Sequence, residues 1–366
     1  MMFLTAITFV EVLKWIGYVL VAILLLMVMI MIHETGHYVA GKIFHFTILE
    51  YSIGFGPKIF QKENKETGEK FSIRCIPIGG YCQFDGEDAD SANEGAFNSK
   101  PVWQRIIVLF SGAFMNLVSA ILFITIFFVS FGDFLPKVYC TYDYVDTAYE
   151  QQLKVDDVIY TIDGKYAYSL LEQTKMKSLM KDKEDVTVKV LRDGEFKDLQ
   201  IHLQDYHGYY VDPDGNTTEM SGHGLGISVS FQQTKLPFFK ALGHSFEFTG
   251  DVIALIFKTF VNVFKGTAKV SENLGGTVTA ISVLSQLAQN GFMAVLFGLC
   301  VLSASLGVMN LLPFPALDGC RIVFCIVEGI RRKPNNRKIE AIINLAGLGV
   351  LILIAVTLDL LHFLGW

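Results

Sequence analysis

His33-Glu34-Thr35-Gly36-His37 brings two imidazoles and a carboxylate into one short run. On a helix, positions i and i+4 share a face, so His33 and His37 would stand side by side with Glu34 next to them. Two neutral imidazole nitrogens suit a zinc ion, and the carboxylate can take a proton from an attacking water. The chemistry such a set supports is metal-assisted hydrolysis. The motif closes an uncharged apolar run that begins at Trp15. A run of that kind reads as a membrane span, where ionisable groups are costly and therefore suspect as functional.

A catalytic zinc commonly takes three protein ligands and keeps one position for water. The third ligand must reach the depth of His33, roughly 27 Å of helical rise beyond Trp15. Asp318 meets that condition if the apolar run starting at Phe292 enters from the same side and breaks at Pro313 and Pro315. Asp133, Asp359 and His362 fail it, because each falls near the opposite end of a span. The segment 310–319, Asn-Leu-Leu-Pro-Phe-Pro-Ala-Leu-Asp-Gly, frees backbone carbonyls around its prolines. Unwound backbone at membrane depth is tolerated only where protein or a wet cavity surrounds it.

These residues must be positioned by a membrane framework. Four segments, 15–39, 106–131, 292–312 and 341–364, approach the ~20 apolar residues a bilayer needs. Residues 51–57 and 71–81 read as short strands separated by the charged turn 62–68. Residues 132–235 turn soluble, with alternation at 186–190 and Asp-Gly turns at Asp163 and Asp193. The stretch 238–264 is apolar but carries Lys240, His244, Glu247, Asp251 and Lys258, which predicts an interfacial amphipathic helix. The resulting division is a membrane core at 1–132, an extracytoplasmic region at 133–235, interfacial helices at 236–290 and a second membrane core at 291–366. Lys42, Lys58, Lys62, Lys65, Lys70, Arg74, Lys100 and Arg105 follow the first span. Arg321, Arg331, Arg332, Lys333, Arg337 and Lys338 follow the third. Both loops therefore face the cytoplasm, which places the site near the cytoplasmic leaflet.

Composition agrees with a membrane class: 52% of residues are hydrophobic and only 18% charged. The net charge of −6 leaves no basic surplus for nucleic acid. The six cysteines form no CxxC pair and read as packing residues. The histidines at 45, 202, 207, 223 and 244 are expected on the surface, and Glu272 and Glu328 as solvated charges.

The chain resembles the site-2 protease family of intramembrane zinc metalloproteases, in its bacterial branch. The matching stretches are the His33–His37 pentapeptide, Gly54-Phe55-Gly56-Pro57, Ile76-Pro77-Ile78-Gly79-Gly80-Tyr81, Lys100-Pro101-Val102-Trp103-Gln104-Arg105, and 310–319. The resemblance implies Zn2+ held by His33, His37 and Asp318, with Glu34 as general base. It gives Asn310 a part in holding substrate near the metal. It also implies that Ile78, Gly79, Gly80 and Tyr81 belong to a membrane-associated β-element that pairs with an unwound substrate. Residues 137–204 resemble one PDZ domain through the stretch 153–164. Gln151-Gln152 and Val155-Asp156 depart from the usual Ala-Gly and Pro-Gly, and Gly112-Ala113 stands where the family favours Gly-Pro before the Asn.

The expected fold is a polytopic α-helical membrane protein with about four transmembrane helices, a membrane-associated β-hairpin and one extracytoplasmic PDZ-like α+β domain. The expected function is hydrolysis of peptide bonds in single-span transmembrane proteins or peptides, as in regulated intramembrane proteolysis at the bacterial inner membrane. The competing reading is a membrane scaffold that holds partners through the PDZ-like domain. A metal transporter is a third, but it needs polar groups along a path rather than at one depth.

Overall fold

The computed structural model describes residues 9–87, 91–167, 175–211, 217–265 and 275–364. The chain divides into two compact units, Met1–Ile124 with Thr249–Trp366, and Thr125–Phe248.

The first unit is built on long apolar helices. Among the described residues four are long and apolar enough to cross a membrane: α1 (Phe9–Ile43), α2 (Val102–Phe131), α6 (Phe292–Asn310) and α8 (Arg337–Leu364). Large apolar side chains such as Leu20 on α1 and Leu345 and Leu353 on α8 stay more than 60% exposed, as lipid-facing positions would. α6 stops at Asn310, ahead of the two prolines, and Asp318 opens the next helix, α7 (Asp318–Arg331). Between them Ala316 takes φ 79°, a strained left-handed conformation for a residue with a Cβ. Its N–H donates to Asn344 Oδ1 of α8 at 3.2 Å.

A shorter helix, α5 (Thr277–Gln289), falls in the stretch 236–290 for which the sequence predicts interfacial helices, and it packs among the long apolar helices. Leu284 is fully buried beside Ala22 and Met29 of α1 and Leu299 of α6. Gly276 offers α5 no side-chain cap. Asp359 of α8 supplies one instead, accepting from Val278 N at 3.1 Å, Thr279 N at 2.9 Å and Thr279 Oγ1 at 2.7 Å.

The expected β-element is two long antiparallel strands, β1 (Ile48–Glu63) and β2 (Lys70–Phe84), each bent near its middle. Residues 50–53 of β1 pair with 80–83 of β2 on one side and with 70–73 on the other, while 60–63 pair with 70–73 again. Two strands thus make four runs, with residues 80–83 on the outside. Gly54 and Gly56 turn the first strand at φ 84° and 81°. Glu50 ties the runs together: its Oε1 accepts from Ser72 Oγ at 2.5 Å and from Arg74 Nη2 at 2.8 Å. Burial alone would raise this carboxyl, but those bonds outweigh it and hold Glu50 below the ordinary carboxylate range.

Charge is also buried where α2, α7 and α8 begin or end. Glu328, expected in solvent, is 8% exposed and pairs with Arg105 at 2.5 Å and Arg337 at 3.1 Å. Removing charges from water is costly, so a carboxylate held between two buried guanidiniums must be paired.

The second unit carries the sheet β11-β3-β5-β7-β8, with β6 paired to β5. Its members are β3 (Asp133–Thr141), β5 (Val158–Ile162), β6 (Lys165–Tyr166), β7 (Asp185–Arg192), β8 (Glu195–His202) and β11 (Ile227–Thr234). A short helix, α3 (Lys175–Met180), packs Met176, Leu179 and Met180 on a core of Ile159, Ile162, Val186, Val188 and Val190. The edge strand β11, which pairs with β3 along its length, lies beyond the resembling segment 137–204 in the chain. A second small sheet joins β4 (Asp143–Tyr144), β9 (Gln204–Val211) and β10 (Thr217–Gly224) in the order β10-β9-β4. The segment Asp212-Pro213-Asp214-Gly215, whose composition predicts a turn, lies outside the described residues. His244 of α4 (Phe238–Phe264), expected on the surface, is 3% exposed, stacks between Phe128 and Tyr166, and lies 2.7 Å from Asp133.

Candidate metal centre

α1 carries His33 and His37 on one face, and the start of α7 brings Asp318 to them. His33 Nε2 and His37 Nε2 lie 3.0 and 3.2 Å from Asp318 Oδ2, and 3.1 Å from each other. All three residues are largely buried. At the first turn of α7 the carboxylate also meets the positive end of the helix.

Those three atoms can be tested as a metal site by asking what lies between them. His37 Nδ1 lies 2.8 Å from the Val108 carbonyl oxygen, so Nδ1 carries the hydrogen and Nε2 presents a lone pair. Asp318 Oδ2 is buried with no hydrogen-bond donor. Lone pairs converging at about 3 Å repel unless a cation sits among them, and ~3.3 Å is the ligand spacing of a tetrahedral ion with ~2.0 Å bonds. The donor set, two imidazoles and one carboxylate, is the kind catalytic zinc uses.

The surroundings complete the arrangement. Asn116 Nδ2 and Asn310 Nδ2 lie 3.4 and 3.5 Å from His33 Nδ1. Asn116 Oδ1 is buried without a partner, so half a turn of that amide would pair its oxygen with the Nδ1–H. Glu34 Oε2 accepts a hydrogen bond from the main-chain N–H of Cys82 at 2.9 Å. A cavity of about 480 Å³ is lined by His33, Glu34, His37, Asp318 and residues 81–84 of β2, with Glu87 and Arg321 ion-paired at its wall.

Of the residues singled out by sequence, His33, Glu34, His37, Asp318 and Tyr81 meet at this cavity, and Asn310 touches His33. Gly79 and Gly80 are not among its lining residues: a Cβ at Gly79 would strike Phe55, and one at Gly80 would come within 2.7 Å of Met31 Sδ. Ile78 belongs to β2. Sequence reasoning missed the Cys82 N–H and the Val108 carbonyl, which are main-chain groups without a residue-type signal. It also passed over Gly112 and Asn116 as site residues, although their i, i+4 spacing puts them on one face of α2.

Membrane-spanning helices and a His-His-Asp centre beside a glutamate define the class of membrane metallopeptidase. The chain belongs to Peptidase family M50, the zinc-dependent site-2 protease family, whose model matches residues 21–354. Relatives named as zinc metalloproteases include one from Fusobacterium nucleatum, 33% identical over 87% of this chain and 90% of its own. Another, from Clostridium perfringens, is 28% identical over 93% of this chain and 97% of its own. A third, from Campylobacter jejuni, is 30% identical over 91% and 89%.

Proposed function

We propose that this membrane metalloprotease hydrolyses peptide bonds within single-span transmembrane segments, as in regulated intramembrane proteolysis at the bacterial inner membrane. The observation that carries the reading is the convergence of His33 Nε2, His37 Nε2 and Asp318 Oδ2 within 3.0–3.2 Å of one another, beside Glu34 and the outer run of β2.

In this reading His33, His37 and Asp318 hold zinc, which supplies Lewis acidity when bound. Glu34 takes the proton of the attacking water as its oxygen bonds to the scissile carbonyl carbon. The same proton then passes to the leaving amine as the C–N bond breaks. Asn310 holds the substrate beside the site. A transmembrane helix hides its carbonyls in i→i−4 bonds, and each backbone group freed in lipid costs several kcal/mol. The run at residues 78–81, continuing through Phe84, offers replacement bonds by strand addition, so helix-breaking residues in the substrate favour cleavage. The site lies toward the cytoplasmic leaflet. The sheet domain, read as PDZ-like and extracytoplasmic, admits substrates already trimmed of bulky outer domains.

Mass mapping of products from a reconstituted single-span substrate tests the reading. Scissile bonds inside the apolar segment are expected, moving with an introduced Gly-Pro pair. Cleavage confined to soluble flanks would contradict it.

A further inference from the structure

Resting on that reading, we propose that Glu34 and Glu87 close the free edge of β2, and that an incoming substrate strand displaces them, releasing Glu34 at the moment a scissile carbonyl arrives. Residues 80–83 pair with 50–53 on one side, and among the described residues no strand pairs with their other side. That other side faces the cavity, which Tyr81, Cys82, Gln83 and Phe84 line.

In an antiparallel strand, alternate residues send their N–H groups to the same edge. On this edge the donors of Cys82 and Phe84 are already taken, by Glu34 Oε2 at 2.9 Å and by Glu87 Oε2 at 3.3 Å. Glu87 is itself anchored, through Oε1, to Arg321. An exposed row of unpaired strand donors is a template for any passing chain, and covering it with side chains blunts that hazard. Here the covering groups are carboxylates, and one of them is the residue placed to act as base.

Strand addition needs the same donors. One N–H cannot serve both the Glu34 carboxylate and a substrate carbonyl at full strength, so the two compete for Cys82. Docking of an extended segment therefore frees the glutamate, whereas a segment that stays helical leaves it bound. Recognition of the unwound conformation and release of the base become one event. The Cys82 main chain is thus a positioning group that acts through Glu34.

The test reads binding rather than turnover, using the full-length, zinc-loaded protein in detergent and a fluorescent single-span peptide with a Gly-Pro centre. Glu34→Gln keeps an acceptor for the Cys82 N–H, while Glu34→Ala vacates it, and neither variant has a base. Loss of one hydrogen-bonded competitor predicts about fivefold tighter peptide binding by the Ala variant. The difference should vanish when Cys82→Pro removes the donor, a change an edge position tolerates. Glu87→Ala, set in the Glu34→Gln background, should tighten binding in the same direction. Equal affinity of the Ala and Gln variants with Cys82 intact, and no gain from Glu87→Ala, would overturn the competition and leave the proteolytic reading standing. If no variant binds the peptide and the parent does not cleave it, the proteolytic reading fails and this inference with it.

Discussion

His37 Nδ1 meets the Val108 carbonyl at 2.8 Å because α1 and α2 cross with glycine at the contact on both helices. A Cβ on Gly36 would strike the Ser111 carbonyl, and one on Gly112 would enter the space of His37 Nε2 and His33 Cε1. Outer groups that orient a ligating histidine commonly contribute 10–100-fold in metal affinity. Gly112→Val should therefore weaken zinc binding by at least about tenfold in chelator competition, with helical content by circular dichroism unchanged. Parent-like affinity would show that the crossing does not set the histidine geometry. Asn116→Ala should weaken zinc binding similarly, while Asn116→Asp, which still accepts from His33 Nδ1–H, should retain most of it.

Glu328 predicts a pH dependence of stability. Burial pushes its carboxyl up, but the guanidiniums of Arg105 and Arg337 outweigh burial and hold it below the ordinary range. A group whose folded pKa is depressed contributes stability above its unfolded pKa, ~4.3 for a glutamate, and that contribution is lost as pH falls through the folded value. Glu328→Gln should accordingly flatten the loss of thermal stability measured on acidification below about pH 4.3. At neutral pH the same change leaves the buried Arg105 guanidinium without its carboxylate, while Arg337 keeps Glu340 at 2.8 Å, and should cost about 3–5 kcal/mol. A parent-like melting curve across both ranges would mean the cluster is solvated.

The sheet domain can be removed at a defined place. Asp133 and Thr234 face each other in the β3–β11 pair, so the ends of an excision there lie close together. Replacing residues 133–234 with a short Gly-Ser linker should let the protein cleave substrates that still carry their outer domains. Unchanged selectivity, assayed on trimmed and untrimmed forms of one substrate, would sink the filter idea.

Much of the centre was legible because it rests on residue type and spacing. His33 and His37 follow from helical periodicity, and Asp318 from matching depths along two spans. The four spans follow from apolar length, with ends that shifted by a few residues. What escaped depends on tertiary partners. Arg105 and Glu328 stand 223 positions apart in the chain, and nothing local marks either as buried. His244 looked like one charge among several on an amphipathic helix, yet Phe128, Tyr166 and Asp133 enclose it. The double pairing of residues 50–53 arises from bends in both strands that strand propensity does not encode.

The most direct measurement is zinc content together with cleavage of a model transmembrane substrate, comparing the parent with Glu34→Gln. The account predicts about one zinc per chain in both, since the histidines and Asp318 remain, and a loss of cleavage of at least about 100-fold in the variant. A parent without zinc, or a variant that cleaves at the parent's rate, would contradict it.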